Sequence, residues 1–578
     1  MGCCSSKAKP KKEPPKEPEP EKLKSPPSEK EPGGSPRPSG LFELEDTTPP
    51  PATPSVDFRI GLGASFPNFE CRTTHGTFMF HDFLEKQHPQ GWTMLFSHPK
   101  DFTPVCTTEI GTCQSMLRDF KRRDVQLIGL SCDSVDQHKA WTKDVLHVQD
   151  HPSQEDLDFP LIADETREIA QMLGMLDPLE ICEIDKISMP ARALFLIGPE
   201  KRNYLTILYP ATTGRNFHEV LRAIDSLHLT NALEVGTPAD WHPNGKVMPA
   251  VNVGDKFGAP EEQMVQSGRR YMRYVPQPVV HTPQRLRPYE DVRPSERDFK
   301  IKLGAKFPDF DWSATKQGIN RFHQLLERLK GDLTLMICWP RNFDPIATSE
   351  LLKCLKHLPE LRQRRVSLIG MTCDPVENLQ QWVKDAIELT GSSDEETGFT
   401  IIADRNQHIA VELGFLPEAN RDADKHLSLA RGLFVIGKDK TLRLSMQYPM
   451  TTGMNFLEVL RVLDSLILTK EHHVATPANW QQNERLILDP KVSRTDANKF
   501  TNLHTQAVPS KKEYLRWVDC PRLPWFKEEV PTFTAPEALL DGQEWEPLPP
   551  VSKAQNEIRG RDPPEDKSVW CMMCSCGN

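Results

Sequence analysis

No stretch of this 578-residue chain holds about 18 consecutive apolar residues, so no bilayer-crossing helix is expected. No secretory leader pattern is seen at its start. Positive charge is not in excess either. Lys and Arg number 71 against 81 Asp and Glu, a net charge of −10. No basic stretch interleaved with aromatics reverses that sign, so nucleic acid is not an expected partner. A compact disulfide framework is also missing. The 14 cysteines are scattered over a long chain, which fits a reducing, cytoplasmic setting.

What is present begins with Met1-Gly2-Cys3-Cys4-Ser5-Ser6. Gly2 with Ser6 fits the N-myristoylation pattern, and Cys3 and Cys4 are adjacent palmitoylation candidates. One myristoyl chain holds a membrane only marginally, so a second signal is needed. Lys7, Lys9, Lys11 and Lys12 add attraction to anionic lipid. The bland alternative is an unmodified tail. Residues 8–54 are rich in Pro, Glu, Lys and Ser and cannot bury enough apolar surface to offset chain entropy. Residues 1–54 are therefore expected to be a disordered, lipid-anchored tether, with membrane lipid as a partner. Residues 281–297 read as a linker and 536–578 as a flexible tail. The tail ends in closely spaced Cys571, Cys574 and Cys576. Ser575 stands where a prenylation box needs cysteine, and zinc binding would need further ligands.

Thr93-Met94-Leu95-Phe96-Ser97 is a short apolar run and reads as a buried strand. Ile110, Cys113, Leu117 and Phe120 then recur at helical spacing. Between them, Thr103-Pro104 is a helix-start signal, threonine as N-cap and proline at the first helical position. Cys106 falls at the third helical position, near unpaired backbone N–H groups and the positive end of the helix dipole. Both favour thiolate over thiol. Most free cysteines are small buried hydrophobes, and local sequence alone leaves both readings open.

The wider pattern separates them. Pro99, Thr103 and Cys106 match the P-x-x-x-T-x-x-C signature of peroxiredoxins. The segment from His98 to Glu109 resembles the 1-Cys subfamily, as do Leu127–Val135 and Tyr209–Phe217. The resemblance runs from about Phe58 to Pro278. It implies an α/β, thioredoxin-like fold and a thiol-dependent peroxidase with no metal or organic cofactor. By the same resemblance Cys106 is the peroxidatic nucleophile, Thr103 hydrogen-bonds peroxide and sulfur, and Pro99 shields the sulfur from water. Arg192 stabilises thiolate and developing negative oxygen, Glu109 orients that guanidinium, and His98 is the pocket histidine. Structural alternatives remain: a helix cap for Thr103, an ordinary ion pair for Arg192 and Glu109, a core position for His98. Some 1-Cys relatives carry a phospholipase serine just before this strand. Gly91 stands at that position, so a serine-based lipase is not expected, and the accompanying His81 reads as structural.

A long internal repeat accompanies this domain. Leu127-Ile128-Gly129-Leu130-Ser131-Cys132-Asp133 returns as Leu368-Ile369-Gly370-Met371-Thr372-Cys373-Asp374, an offset of 368 − 127 = 241. Tyr209-Pro210-Ala211-Thr212-Thr213-Gly214 returns as Tyr448-Pro449-Met450-Thr451-Thr452-Gly453. In the second copy Pro340 is kept, but Trp339 replaces the histidine, Asp344 the threonine and Ala347 the cysteine. Arg431 and Glu350 keep the arginine and glutamate positions. The expected architecture is thus two tandem thioredoxin-like domains, 55–280 active and 298–535 degenerate, paired with each other or within a homo-oligomer.

Cys113 lies seven residues beyond Cys106, about two helical turns or roughly 10 Å away, too far for a disulfide without unwinding. Cys132 reads as core, while Cys71 and Cys182 have no assigned place. One cysteine with an external thiol reductant is therefore the favoured reading. The substrates expected are hydrogen peroxide and organic hydroperoxides, lipid hydroperoxides being candidates. The rival is a membrane-bound redox sensor or scaffold in which Cys106 oxidation signals.

Overall fold

The computed structural model describes residues 60–87, 91–150, 153–181, 187–250, 256–278, 301–314, 317–391, 398–414 and 430–527. Gly2, Cys3, Cys4, the tether, the linker 281–297, the tail 536–578, Cys182 and the terminal cysteines lie outside these residues.

The strand Trp92–Ser97 is buried at every position. Such a strand reads as a continuous apolar run because helices cover both faces of its sheet. It pairs in parallel with Val125–Ser131 and antiparallel with Arg192–Ile197. Val125–Ser131 continues in parallel to Leu161–Ala163, and Arg192–Ile197 continues antiparallel to Asn203–Tyr209. The second copy repeats the pattern. Leu333–Trp339 lies between the parallel strand Val366–Thr372 and the antiparallel strand Arg431–Gly437, which pairs with Leu442–Tyr448.

The two sheets are one. Asn203–Tyr209 pairs antiparallel with Leu442–Tyr448, with Leu208 opposite Ser445 and Thr206 opposite Gln447. The result is a 12-stranded sheet running through both copies. The helices Phe217–Ala232 and Phe456–His472 pack beside this seam and are buried almost all round, so their charged residues must find partners there. The bonds come in pseudo-symmetric pairs. Tyr209 Oη donates to Glu458 Oε1 and Tyr448 Oη to Glu219 Oε1, both at 2.8 Å. Asn216 and Asn455 Nδ2 donate to Glu458 and Glu219 Oε2, both at 2.9 Å.

The repeated Thr-Thr-Gly sequence has its explanation at this seam. Gly214 N donates to Thr476 O at 3.0 Å, and Gly453 N to Thr237 O at 2.9 Å. A Cβ on Gly214 would lie 2.4 Å from Pro477 O, and one on Gly453 2.5 Å from Pro238 C. Only glycine allows backbone from the other copy so close.

Two expectations need correction. The apolar spacing from Ile110 to Phe120 suggests one helix, but Pro104–Ser115 and Leu117–Lys121 are separate, broken at Met116 (φ −90°, ψ 6°). Leu117 and Phe120 stay buried across the break, which is why burial spacing does not reveal it. Cys132 lies just past the end of its strand and is half-buried rather than core. Cys71 is buried in the strand Glu70–Thr73.

Candidate active site

The chain turns from Ser97 into the helix Pro104–Ser115 through His98–Thr103. Phe102 takes a left-handed conformation (φ 54°), as does Phe343 in the second copy (φ 56°). Pro104 occupies the first helical turn with Thr103 as N-cap. The Thr103 hydroxyl does not cap the helix. It donates back to Lys100 O at 2.7 Å, which leaves its lone pairs as acceptors. Cys106 follows at the third helical position and is fully buried. Pro99 is buried as well.

Arg192 opens the strand beside Trp92–Ser97 and brings Nη1 to 3.4 Å from Cys106 Sγ and 2.7 Å from Glu109 Oε2. Its Nε donates to Ala211 O at 2.9 Å. The guanidinium is thus clamped on two sides with one edge on the sulfur. Burial works against its charge, yet the sulfur and Glu109 hold its pKa above the usual arginine range.

Glu109 is shared. Arg215 donates to it from the backbone N (2.8 Å), Nε (2.9 Å) and Nη2 (2.8 Å). Burial alone would push the Glu109 carboxyl up, but Arg215 and Arg192 overcome it and hold the pKa at about 2. Sequence reasoning missed Arg215. The available signal was the repeat, since Gly214-Arg215 returns as Gly453-Met454.

His98 is wholly buried, and its Nε2 lies 2.9 Å from Asp101 Oδ1. The other carboxylate oxygen, Asp101 Oδ2, lies 2.8 Å from His138 Nδ1. His138 Nε2 faces Ile162 O at 3.2 Å. The ligand-capable atoms of these three residues lie within 4.8 Å of one another, and their mutual hydrogen bonds account for the cluster without an ion. The His98 ring sits 5.0 Å from that of Trp141, whose Nε1 donates to Thr107 beside Cys106 at 3.0 Å.

The second copy also contributes to this pocket. Ser510 N and Oγ donate to Asp144 at 2.8 and 2.5 Å, and Tyr514 Oη lies 3.1 Å from Asp144 Oδ2 and 3.3 Å from Thr107 Oγ1. Lys512 Nζ sits 3.1 Å above the Phe102 ring. The first copy's extension returns the contact, with Ser267 on Asp385 at 2.8 and 2.6 Å and Arg269 over Phe343.

In the second copy's own pocket Ala347 replaces the thiol. Asp344 Oδ1 caps the helix through Ala347 N at 2.6 Å and also accepts from Arg431 Nη2 at 2.6 Å. A fixed carboxylate therefore lies between Ala347 and Arg431, on Nη2, whereas the sulfur of the first copy meets Arg192 at Nη1. Burial raises the pKa of Glu350, and Arg431 only partly offsets this. His81, the remnant of the lipase pattern, bonds to Phe66 O at 2.9 Å through Nε2, a structural contact.

The AhpC/TSA family model matches residues 62–202 and 303–445. The C-terminal domain of 1-Cys peroxiredoxin matches residues 465–500. Peroxiredoxin-6 of Gallus gallus is 48% identical over 225 residues, 38% of this chain and 97% of the relative. Peroxiredoxin-6 of Mus musculus is 47% identical over 225 residues, with the same shares. A crystal structure of a mutant peroxiredoxin 6 of Arenicola marina is 49% identical and covers 38% of this chain and 99% of that one, with a TM-score of 0.36.

Proposed function

This chain belongs to the peroxiredoxin family and is a thiol-dependent peroxidase, and from that premise we propose that Cys106 alone carries its turnover. The observation that supports this most is the Arg192 edge 3.4 Å from Cys106 Sγ, set against the Ala347 and Asp344 of the other copy. The thiolate attacks the nearer peroxide oxygen, the S–O bond forms and the O–O bond breaks. The departing water or alcohol takes up the proton that the thiol gave up. Arg192 faces the charge that develops on the oxygens, and donors so placed supply much of the catalysis. Thr103 accepts from the peroxide, Glu109 holds Arg192, Pro99 excludes water and His98 lines the pocket.

The product is a sulfenic acid, the reversible first step of cysteine oxidation. An external thiol condenses with it to a mixed disulfide and water, and a second thiol releases Cys106. Cys113 is fully buried on the same helix, and burial raises its pKa well above the ordinary thiol range, so it makes a poor resolving thiol.

Hydrogen peroxide and organic hydroperoxides, including those of lipids, are the substrates of this reading. The active domain is 55–280 and the thiol-less domain 298–535. Acyl chains on Gly2 and on Cys3 or Cys4 tether the protein to the cytosolic face of a membrane. The deciding experiment is peroxide consumption with several thiol donors, comparing wild type with Cys106→Ser. Near-wild-type turnover by Cys106→Ser would sink the assignment.

A further inference from the structure

The hydrogen bonds around Asp101 fix the protons of two histidines. Both His138 nitrogens face acceptors, Asp101 Oδ2 at 2.8 Å and Ile162 O at 3.2 Å. Burial works against the Asp101 charge, but hydrogen bonds from His138 and His98 outweigh it and hold its pKa below the usual range. With both His138 nitrogens then facing acceptors, the ring donates twice, and His138 is an imidazolium. Asp101 is then its carboxylate counter-ion, and its remaining oxygen accepts from His98 Nε2–H at 2.9 Å. That leaves His98 neutral, with a bare lone pair on Nδ1. The Nδ1 atom is buried and has no hydrogen-bond partner among the described residues. The other titratable group near His98 is Asp133, which accepts from Asp101 N at 2.8 Å and from Ser131 Oγ at 2.9 Å. Burial lowers the His98 pKa, while Asp101 overcomes burial to raise that of His138.

The second copy is an internal control. It keeps the scaffold of this pocket. Asn342 N donates to Asp374 Oδ2 at 2.6 Å, and Trp382 Nε1 to Thr348 Oγ1 at 2.7 Å, as Asp101 N and Trp141 do in the first copy. The polar trio is nevertheless gone. Trp339, Asn342 and Leu379 stand at the positions of His98, Asp101 and His138. Trp339 Nε1 and both polar atoms of the Asn342 side chain are buried without partners among the described residues. Folding therefore does not require the trio, and the trio disappears where the thiol disappears.

We propose that Asp101 and His138 are positioning residues for the peroxidase reaction, holding His98 as the neutral Nε2–H tautomer so that its Nδ1 lone pair shares with Thr103 Oγ1 the O–H of the peroxide bound at Cys106. The inference rests on Cys106 being the reacting thiol. No electrons pass through the network. The O–H bond accepted by His98 stays with the oxygen that moves to sulfur, and the orientation of that oxygen is what the histidine supplies. The imidazolium of His138 keeps Asp101 ionised and keeps the proton off His98. Without it, Asp101 would draw a second proton onto His98, and Nδ1 would become a donor.

Nitrogen-15 NMR of the full chain labelled in histidine, with His98→Gln for assignment, reads the tautomer directly. Wild type is expected to show protonated Nε2 and bare Nδ1 at His98, and a doubly protonated ring at His138. Stopped-flow oxidation is then compared for wild type, Cys106→Ser, Asp101→Asn and His138→Leu. The last two install residues that the second copy already folds around. Each should slow oxidation by about tenfold or more, less than removing a full general acid or base, and shift the His98 ring signals. His138→Gln, which keeps one N–H towards Asp101, should recover part of the rate. A protonated Nδ1 on wild-type His98 overturns the proposal even if no variant folds. So do Asp101→Asn and His138→Leu rates within about twofold of wild type when Cys106→Ser is dead. Turnover by Cys106→Ser instead removes the thiol reading on which the proposal rests.

Discussion

At the scale of single residues, Glu109 is the hinge of the pocket. Its pKa of about 2 lies below the ordinary value of 4.5. A depressed carboxylate stabilises the fold above its unfolded pKa, and that contribution is lost as pH falls from about 4.5 through about 2. Arg215→Met, the residue found at Met454, removes one of its two guanidinium partners. The expected result is an acid-unfolding midpoint shifted to higher pH and a loss of about 3 kcal/mol, in the range for breaking a buried pair. Chemical denaturation between pH 3 and 7 measures it. Arg192→Met leaves Glu109 paired with Arg215, so the protein should fold, but oxidation should slow by about 100-fold or more, as for loss of one oxyanion donor. Stopped-flow oxidation on protein that still melts in one cooperative transition, at a lower midpoint for the lost buried pair, is the check. The helix start at Thr103-Pro104 singles out Cys106 in the sequence, while the roles given to Cys106, Thr103, Glu109 and Arg192 come from the family resemblance. Arg215, Asp101 and His138 were not legible, because their meaning comes from partners 106 and 37 residues away. Spacing along a chain says nothing of such pairs.

At the scale of elements, the helix that carries Ala347 shows why a lost thiol is not restored by one substitution. Asp344 caps that helix and holds Arg431 Nη2 at 2.6 Å. Ala347→Cys alone should therefore give almost no peroxidase activity in a Cys106→Ser background, since a like charge would sit at the arginine edge. Asp344→Thr with Ala347→Cys should do better, though Met454 and Trp339 would still hold it below the first copy. Equal rates for the single and double variants would show that Asp344 is not the obstacle. The strand and helix starts of this element were readable from Asp344-Pro345 and the apolar run before it. The reach of Tyr514 and Lys512 across to the first copy was not, since the extension carries no periodic pattern pointing to its target. Tyr514→Phe removes hydroxyl contacts to Asp144 and Thr107 and should cost about 1 kcal/mol, read as a lower denaturant midpoint.

At the scale of the whole molecule, two-signal anchoring predicts that Gly2→Ala moves the protein from membrane to supernatant, while peroxide turnover in solution is unchanged. Cys3→Ser with Cys4→Ser should leave only weak binding that salt releases. If Gly2→Ala fractionates with membrane as firmly as wild type, the anchor is misplaced. The duplication was legible from its repeated motifs, but the seam was not, because nothing in a sequence says which sheet edge meets which. Nature has here written both sides of an antiparallel edge into a single polypeptide. The seam of Thr206, Ile207 and Leu208 against Ser445, Met446 and Gln447 is therefore closed by a partner that dilution cannot remove. An assembly of separate chains would come apart as its concentration falls, whereas specific activity here should stay level from micromolar down to picomolar enzyme. Each molecule would arrive at its site of work with one working thiol and its own support already in place.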